Sequence, residues 1–200
     1  ERPDDLVHVL MDAQIDGEKL NSMELVNFLL LLAIGGNETT RNCIAGGYLA
    51  LHEFPKQMER FASDPIGHGR LATEEMLRWT SPIIAFRRTA MEDTELSGQK
   101  ITTGDKVVLY YASANRDEEV FDDADVFDIT REKNPHVSFG AGTHFCLGST
   151  LARMEIRILF EELLRRFPKM SIVGDVTRLD SNYVNGTVSF IVSPGPDTDA

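Results

Sequence analysis

Apolar residues recur at helical spacing over most of the chain and alternate over a few short stretches only, which predicts a mainly α protein with small β-sheets. Residues 4–13 put Leu6, Val9 and Leu10 on one face of a short helix, and Asp16-Gly17 reads as a turn. Asn21 or Ser22 can cap a second helix, with Glu24 near its start where the helix dipole favours an acid. Its apolar positions continue through Leu29, Leu32, Ile44 and Leu51 and stop ahead of Pro55. A helix of about 30 residues, against a mean of about 11–12, is expected to be a central one buried on several sides. Gly35-Gly36 interrupts it, at a cost of roughly 1 kcal/mol per glycine relative to Ala. Such a pair suits a kink, the close approach of a ligand, or tight helix–helix packing.

Two shorter helices are expected at 56–63 and 69–79. A β-like stretch follows from Ile83, and alternation places Ile84, Phe86 and Arg88 on one face. Glu95-Leu96 and Lys100-Ile101 flank a Ser97-Gly98-Gln99 turn, the mark of a hairpin, and Val107–Tyr111 reads as a buried strand. Residues 115–135 are acidic and irregular, a long loop of the kind kept for a function. A strong amphipathic helix is expected at 149–167 with Leu151, Met154, Ile158 and Leu163 on its apolar stripe, and the tail after Pro194 is expected to fray.

Composition narrows the classes. The 200 residues hold 20 Lys and Arg against 32 Asp and Glu, a net charge of −12, with 42% hydrophobic and 26% charged residues. That is ordinary globular composition, and its acidity argues against a nucleic-acid partner, which needs a basic face to replace counterions. The longest apolar run, Phe28 to Ile34, is far below the roughly 20 residues of a membrane span. Cys43 and Cys146 stand far apart with no CxxC, so no disulfide framework or zinc ribbon is indicated, and a cytoplasmic, reducing location fits. The chain opens on Glu1 in what reads as the middle of a helix-forming stretch, so a portion of a longer protein is expected.

The stretch richest in chemistry runs from Phe139 to Gly148, FGAGTHFCLG, just ahead of the last helix. A cysteine near a helix N-terminus meets the positive end of the dipole and unpaired N–H groups, which favour thiolate. Flanking glycines let backbone amides approach a sulfur or a flat ligand. One thiolate is too few for structural zinc, but it can be the single protein ligand of an iron held in a macrocycle. Three other readings stand beside it: a buried apolar cysteine, a metal held by His136, His144 and Cys146, and a nucleophilic Cys146 with His144.

The pattern Phe139-Gly-x-Gly-x-His144-x-Cys146-x-Gly148 resembles the haem-binding signature of the cytochrome P-450 family. Gly35-Gly36-Asn37-Glu38-Thr39-Thr40 resembles that family's oxygen-activation segment, Glu75-Met76-Leu77-Arg78 its ExxR pair, and Phe127-Asp128-Ile129-Thr130-Arg131 the segment whose Arg joins the pair. The resemblance implies the C-terminal part of one P-450 haem domain over residues 1–200, including the long central helix and the haem-binding loop. The cofactor would be haem b, with Cys146 as the proximal iron ligand and Phe139, Gly140 and Gly148 around the sulfur. Arg88 and His144 would reach the propionates. Gly35 and Gly36 would leave room for O2 and substrate, Glu38 and Thr39 would deliver protons, and Thr40 would be structural. Ile84, Phe86 and Val184, the last in a segment Tyr183–Gly186 that resembles the C-terminal hairpin whose tip enters the substrate pocket, would touch substrate. Glu75, Arg78 and Arg131 would form a buried structural network.

The activity so implied is a monooxygenase inserting one atom of O2 into a C–H bond of a hydrophobic substrate, an alkyl chain, terpene or steroid-like molecule. Electrons would come from NAD(P)H through a ferredoxin reductase and a ferredoxin, docking beside a last helix made basic by Arg153, Arg157, Arg165 and Arg166. The alternatives are a peroxide-driven peroxygenase, disfavoured by the Glu38–Thr39 pair, and a truncated chain with no catalysis of its own.

Overall fold

The computed structural model describes residues 5–195; the expected tail beyond 195 and the first four residues lie outside the described part. Two compact units are present, one up to Glu38 and one from Thr39 onward.

In the first unit, α1 (Leu6–Asp12) is capped by Asp5, whose side chain accepts from the His8 N–H. None of its residues is buried, and Leu6 and Val9, expected on an apolar contact face, are exposed. A minimal hairpin follows, β1 (Gln14–Ile15) and β2 (Glu18–Lys19). Asp16 and Gly17 both take positive φ, 53° and 85°, as a two-residue turn between antiparallel strands requires. Asn21 then starts α2 (Ser22–Glu53) with a reciprocal cap: its Oδ1 accepts from the Met23 and Glu24 N–H groups while Glu24 Oε2 accepts from the Asn21 N–H.

The expectation for α2 needs correcting. The helix is continuous over 32 residues, but its buried residues begin only at Thr40. The earlier part exposes Met23, Val26, Leu30, Leu31 and Ile34. Among the described residues Gly35 and Gly36 do not serve tight packing either, because a Cβ at either would meet none of their atoms within 4 Å. That role belongs to a second pair. A Cβ at Gly46 would lie 2.7 Å from Thr80 Cγ2, and one at Gly47 would lie 2.8 Å from Met76 Sδ.

In the second unit, Phe54-Pro55 ends α2 and opens α3 (Pro55–Ser63). Asp64 caps α4 (Pro65–Thr80), accepting from the Gly67 N–H at 2.9 Å, with Pro65 at the first helical position. This cap and proline set the start of α4 at 65, earlier than apolar spacing predicts. Strand β3 (Ala85–Thr89) pairs antiparallel with β6 (Lys106–Tyr110), Phe86 opposite Leu109 and Arg88 opposite Val107. Between them, β4 (Thr94–Leu96) and β5 (Gln99–Ile101) form the expected hairpin. Strand β6 is exposed except at Val107, contrary to its buried appearance, because the sheet has two strands.

A single turn of helix, α5 (Tyr111–Ala114), leads into the long irregular segment. A short 3-10 turn at Gly142–His144 precedes α6 (Ser149–Arg166). A long antiparallel pair follows, β7 (Ser171–Arg178) and β8 (Thr187–Ser193), a hairpin whose connecting segment holds Tyr183–Gly186.

The core gathers Cys43, Leu51, Phe61, Met76, Leu77, Phe127, Ile129, Ile156, Phe160 and Leu164. On α6 the buried row is Ile156, Phe160 and Leu164, packed towards α4, while the predicted stripe of Leu151, Met154 and Ile158 is exposed and Leu163 is half-buried. The helix carries two apolar rows on opposite faces, and helical spacing alone does not say which one finds a partner.

Candidate functional site

The cysteine loop is held from both ends. The Cys146 N–H donates to the Phe139 carbonyl at 2.9 Å, closing the loop on itself, and the Gly140 N–H donates to Val137 O at 2.8 Å. Gly140 and Gly142 take positive φ, 71° and 65°, so glycine is required at both. Cys146 stands just before the first turn of α6, and its own carbonyl accepts from the Ser149 N–H at 3.3 Å. The sulfur-bearing residue is half-buried, among the exposed side chains of Phe145, Leu147 and His144.

The two cysteines differ sharply. Cys43 is fully buried, and burial pushes its thiol up to about 12 against the opposing hydrogen bond from Thr80. It is an inert core residue, whereas Cys146 is presented on a shaped loop. His136 does not join Cys146 and His144 as a third ligand: its Nε2 is engaged by Glu74 at 3.0 Å. Among the described residues no group of three or more His, Cys, Asp or Glu could hold a metal ion. A lone soft donor flanked by glycines and apolar side chains fits an iron that brings its own equatorial nitrogen ligands, so the residues present fit a haem.

Behind this loop lies the buried network. Arg78 and Glu75 are both wholly inaccessible and form a bidentate pair, Nε to Oε2 at 2.8 Å and Nη2 to Oε1 at 2.7 Å. Arg78 Nη1 donates to the carbonyls of Asn115 and Ala124. Arg131 Nε donates to Glu75 Oε2 at 3.2 Å, and its remaining donors take the carbonyls of Asp122, Asp123 and Val126. The Asp128 N–H and Asn134 Nδ2 complete the shell of Glu75. Every arm of the fork is thus spent on pinning the irregular segment 115–135 to α4, which is what a buried ion pair must do to offset desolvation.

Asn115, unremarked in the sequence, links this network to the cysteine loop. Its carbonyl accepts from Arg78, its Oδ1 accepts from the Val137 N–H, and its Nδ2 donates to the Ser81 and Ser138 hydroxyls. Only the fold reveals it, since an Asn in an acidic stretch carries no signal of its own.

The residues expected to touch substrate come together in part. Phe86 and Arg88 share a face of β3, with Ile84 just ahead of the strand, and the Arg88 guanidinium lies 5.7 Å from the Phe86 ring centroid while its Nη1 donates to Arg87 O. The segment at 183–186 does meet this strand, through a bridge pairing Ile83 with Val184. Pairing in that register sets Val184 on the Ile83 side and Tyr183 on the Ile84 side. Tyr183, not Val184, therefore reaches Phe86, with ring centroids 5.8 Å apart. His144 is exposed in the 3-10 turn. Of the α2 residues, Glu38 is exposed, Thr39 half-buried and Thr40 buried.

The basic face read into α6 is largely neutralised. Arg153 pairs with Glu74, Arg157 with Glu161, and Arg165 and Arg166 both with Glu162. No helix among the described residues is long and apolar enough to cross a membrane.

Comparison with known proteins adds an independent line. The profile of the cytochrome P-450 family matches residues 71–190. A methyl-branched lipid omega-hydroxylase of Mycobacterium tuberculosis is 49% identical over 184 residues, covering 92% of this chain and 43% of the relative. A steroid C26-monooxygenase of Rhodococcus jostii is 45% identical over 190 residues, covering 94% and 40%. Among solved structures, a Mycobacterium marinum cytochrome P-450 in complex with pseudoionone superposes with a TM-score of 0.90 at 42% identity, covering 96% of this chain and 46% of that one. The chain thus spans less than half the length of these relatives.

Proposed function

The chain belongs to the cytochrome P-450 family, and from that premise we propose that it supplies the thiolate-bearing part of a haem monooxygenase domain that hydroxylates an aliphatic C–H bond of a lipid-like or steroid-like substrate. The observation that carries this reading is the cysteine loop: a single half-buried sulfur, shaped by two positive-φ glycines and closed by the Cys146 N–H on Phe139 O. Haem b bound there supplies activation of O2, and a thiolate ligand favours O–O cleavage.

The chain's own residues have distinct tasks. Cys146 Sγ would ligate the iron, and any loop amide donating to it would limit the donor strength of the sulfur. Phe139 closes the loop, its carbonyl accepting from the Cys146 N–H. Arg88 and His144 are cationic or hydrogen-bonding partners for propionates, with Arg88 offering a fork matched to a carboxylate. Thr39 would supply a hydroxyl for proton delivery during O2 activation, with Glu38 as the carboxylate source. Ile84, Phe86 and Tyr183 give an apolar wall suited to an alkyl or ring substrate, in keeping with the lipid and steroid relatives. Electrons from NAD(P)H would arrive through a ferredoxin, and the pairing of the α6 arginines means that steering charge is supplied less by this helix than its sequence suggests.

The test is spectroscopic. The complete protein, reduced under CO, shows the red-shifted Soret band of a thiolate-ligated haem, and Cys146→Ala loses it; retention of the band in that variant rejects the axial assignment. Thr39→Ala keeps the band but consumes electrons without matching product, and coupling equal to wild type rejects the proton-delivery role. Methyl-branched fatty acids and sterols are the first probes for a substrate-induced spectral shift.

A further inference from the structure

One residue before Glu75, α4 carries a second clamp with a different target. Glu74 accepts from Arg153 through both oxygens, Nε to Oε1 at 2.7 Å and Nη2 to Oε2 at 3.0 Å, and its Oε2 also takes His136 Nε2 at 3.0 Å. The tautomer of His136 follows from its other nitrogen, because Nδ1 accepts from the Ser138 N–H at 3.3 Å and so Nε2 carries the proton. Arg153, oriented by this fork, lies with its guanidinium carbon 4.5 Å from the centroid of the Phe139 ring. The His136 ring stands 6.0 Å from the same ring and the Phe145 ring 6.3 Å. Phe139 is the residue whose carbonyl receives the Cys146 N–H.

We propose that Arg153 is a positioning residue for the thiolate ligand: held by Glu74, which His136 also engages, its guanidinium lies over Phe139 and fixes the residue against which the Cys146 loop closes. The inference rests on the haem-thiolate reading above and deepens it. Three elements remote in sequence converge here, α4, the approach to the loop, and the first turns of α6. Arginine is suited to the task because its fork can be spent on a carboxylate while its planar face stays free for a ring. The carboxylate balances the guanidinium, so the clamp acts by geometry rather than by adding net charge beside the sulfur. Burial pushes the Glu74 carboxyl up, but the hydrogen bonds and charges of His136 and Arg153 outweigh this and hold it at about 2, so the clamp is ionised at neutral pH.

The experiment uses the complete haem-loaded protein and reads the haem reduction potential and the ferrous-CO spectrum. Arg153→Ala is expected to shift the potential and to move part of the CO complex from the thiolate-type band to the blue-shifted thiol-type band. Arg153→Lys, which keeps the charge and loses the planar fork, should behave like Ala. Phe139→Leu should produce a shift of its own, and adding Arg153→Ala to it should produce little more, because both act through one contact. A purely structural role would lower thermal stability and leave potential and spectrum alone. Wild-type potential and spectrum in Arg153→Ala, or shifts that simply add to those of Phe139→Leu, overturn the proposal. Should Arg153→Ala fail to retain haem, Glu74→Gln carries the same test with a smaller shift in the same direction, and no shift there overturns the proposal. A wild-type protein without the thiolate-type band defeats both readings; a normal wild-type band with an unmoved Arg153→Ala defeats the clamp alone.

Discussion

Glu74 and Glu75 are neighbours on one helix, yet they sit in opposite environments. Glu75 is fully buried with Arg78, and every acceptor site it offers is taken by Arg78, Arg131, Asn134 or the Asp128 N–H. Glu74, about 100° further round the helix, is one-fifth exposed and is shared between Arg153, about one-third exposed, and His136. The first cluster pins a long irregular segment into the core. The second reaches out to the loop that carries Cys146. The difference shows that the buried cluster, saturated with partners, is chiefly a matter of folding, while the partly exposed one leaves room to adjust a site.

The largest expected effect breaks the first cluster. Arg78→Leu strands the Glu75 carboxylate in the core and should cost about 3–5 kcal/mol in urea unfolding, or prevent folding. Arg153→Leu, on the exposed side, should cost about 1 kcal/mol. Equal losses would erase the distinction between the two faces.

Acid sharpens the comparison further. The Glu74 carboxyl is pulled from 4.5 down to about 2, burial opposing and the His136 and Arg153 contacts winning. A folded value below the unfolded one means a contribution that is complete above about pH 4.5 and disappears as pH falls towards 2. Glu74→Gln should therefore flatten the fall of unfolding free energy across that window, and an unchanged slope would show that the carboxylate is not held as described.

A further contrast lies in the two glycine pairs of α2. Gly47→Ala drives a methyl against Met76, whose Cβ is 3.2 Å away and cannot retreat without moving α4, so about 1–3 kcal/mol should be lost. Gly35→Ala meets open space inside a helix and should gain up to about 1 kcal/mol. Thermal melts of the two variants moving in the same direction would contradict this assignment of packing to the second pair.

Much of the local structure was legible because it is written in nearest neighbours. The Asn21–Glu24 cap, the Asp16-Gly17 and Ser97-Gly98 turns, and the stop of α2 before Pro55 are decided by side chains within four residues of the backbone they satisfy. The convergence of Arg131 on the Glu75–Arg78 pair was legible through the family resemblance, since nothing local ties residues more than fifty positions apart. The face of α6 that is buried was misread, as were the exposure of β6 and of the early part of α2. Each depends on whether another element covers an apolar row, which periodicity does not encode.

By itself the sequence determined where α2 begins and ends, where tight turns fall, and that a lone cysteine sits on a glycine-shaped loop ahead of a helix. These follow from sterics and hydrogen bonding over a few residues. Only the tertiary structure decided that Asn115 joins the buried network to that loop, that Tyr183 rather than Val184 meets Phe86, and that Arg153 belongs to Glu74 and Phe139 instead of to a basic surface. Their common physical reason is that a long polar or aromatic side chain takes its role from the partner that desolvates it, and those partners are far away along the chain.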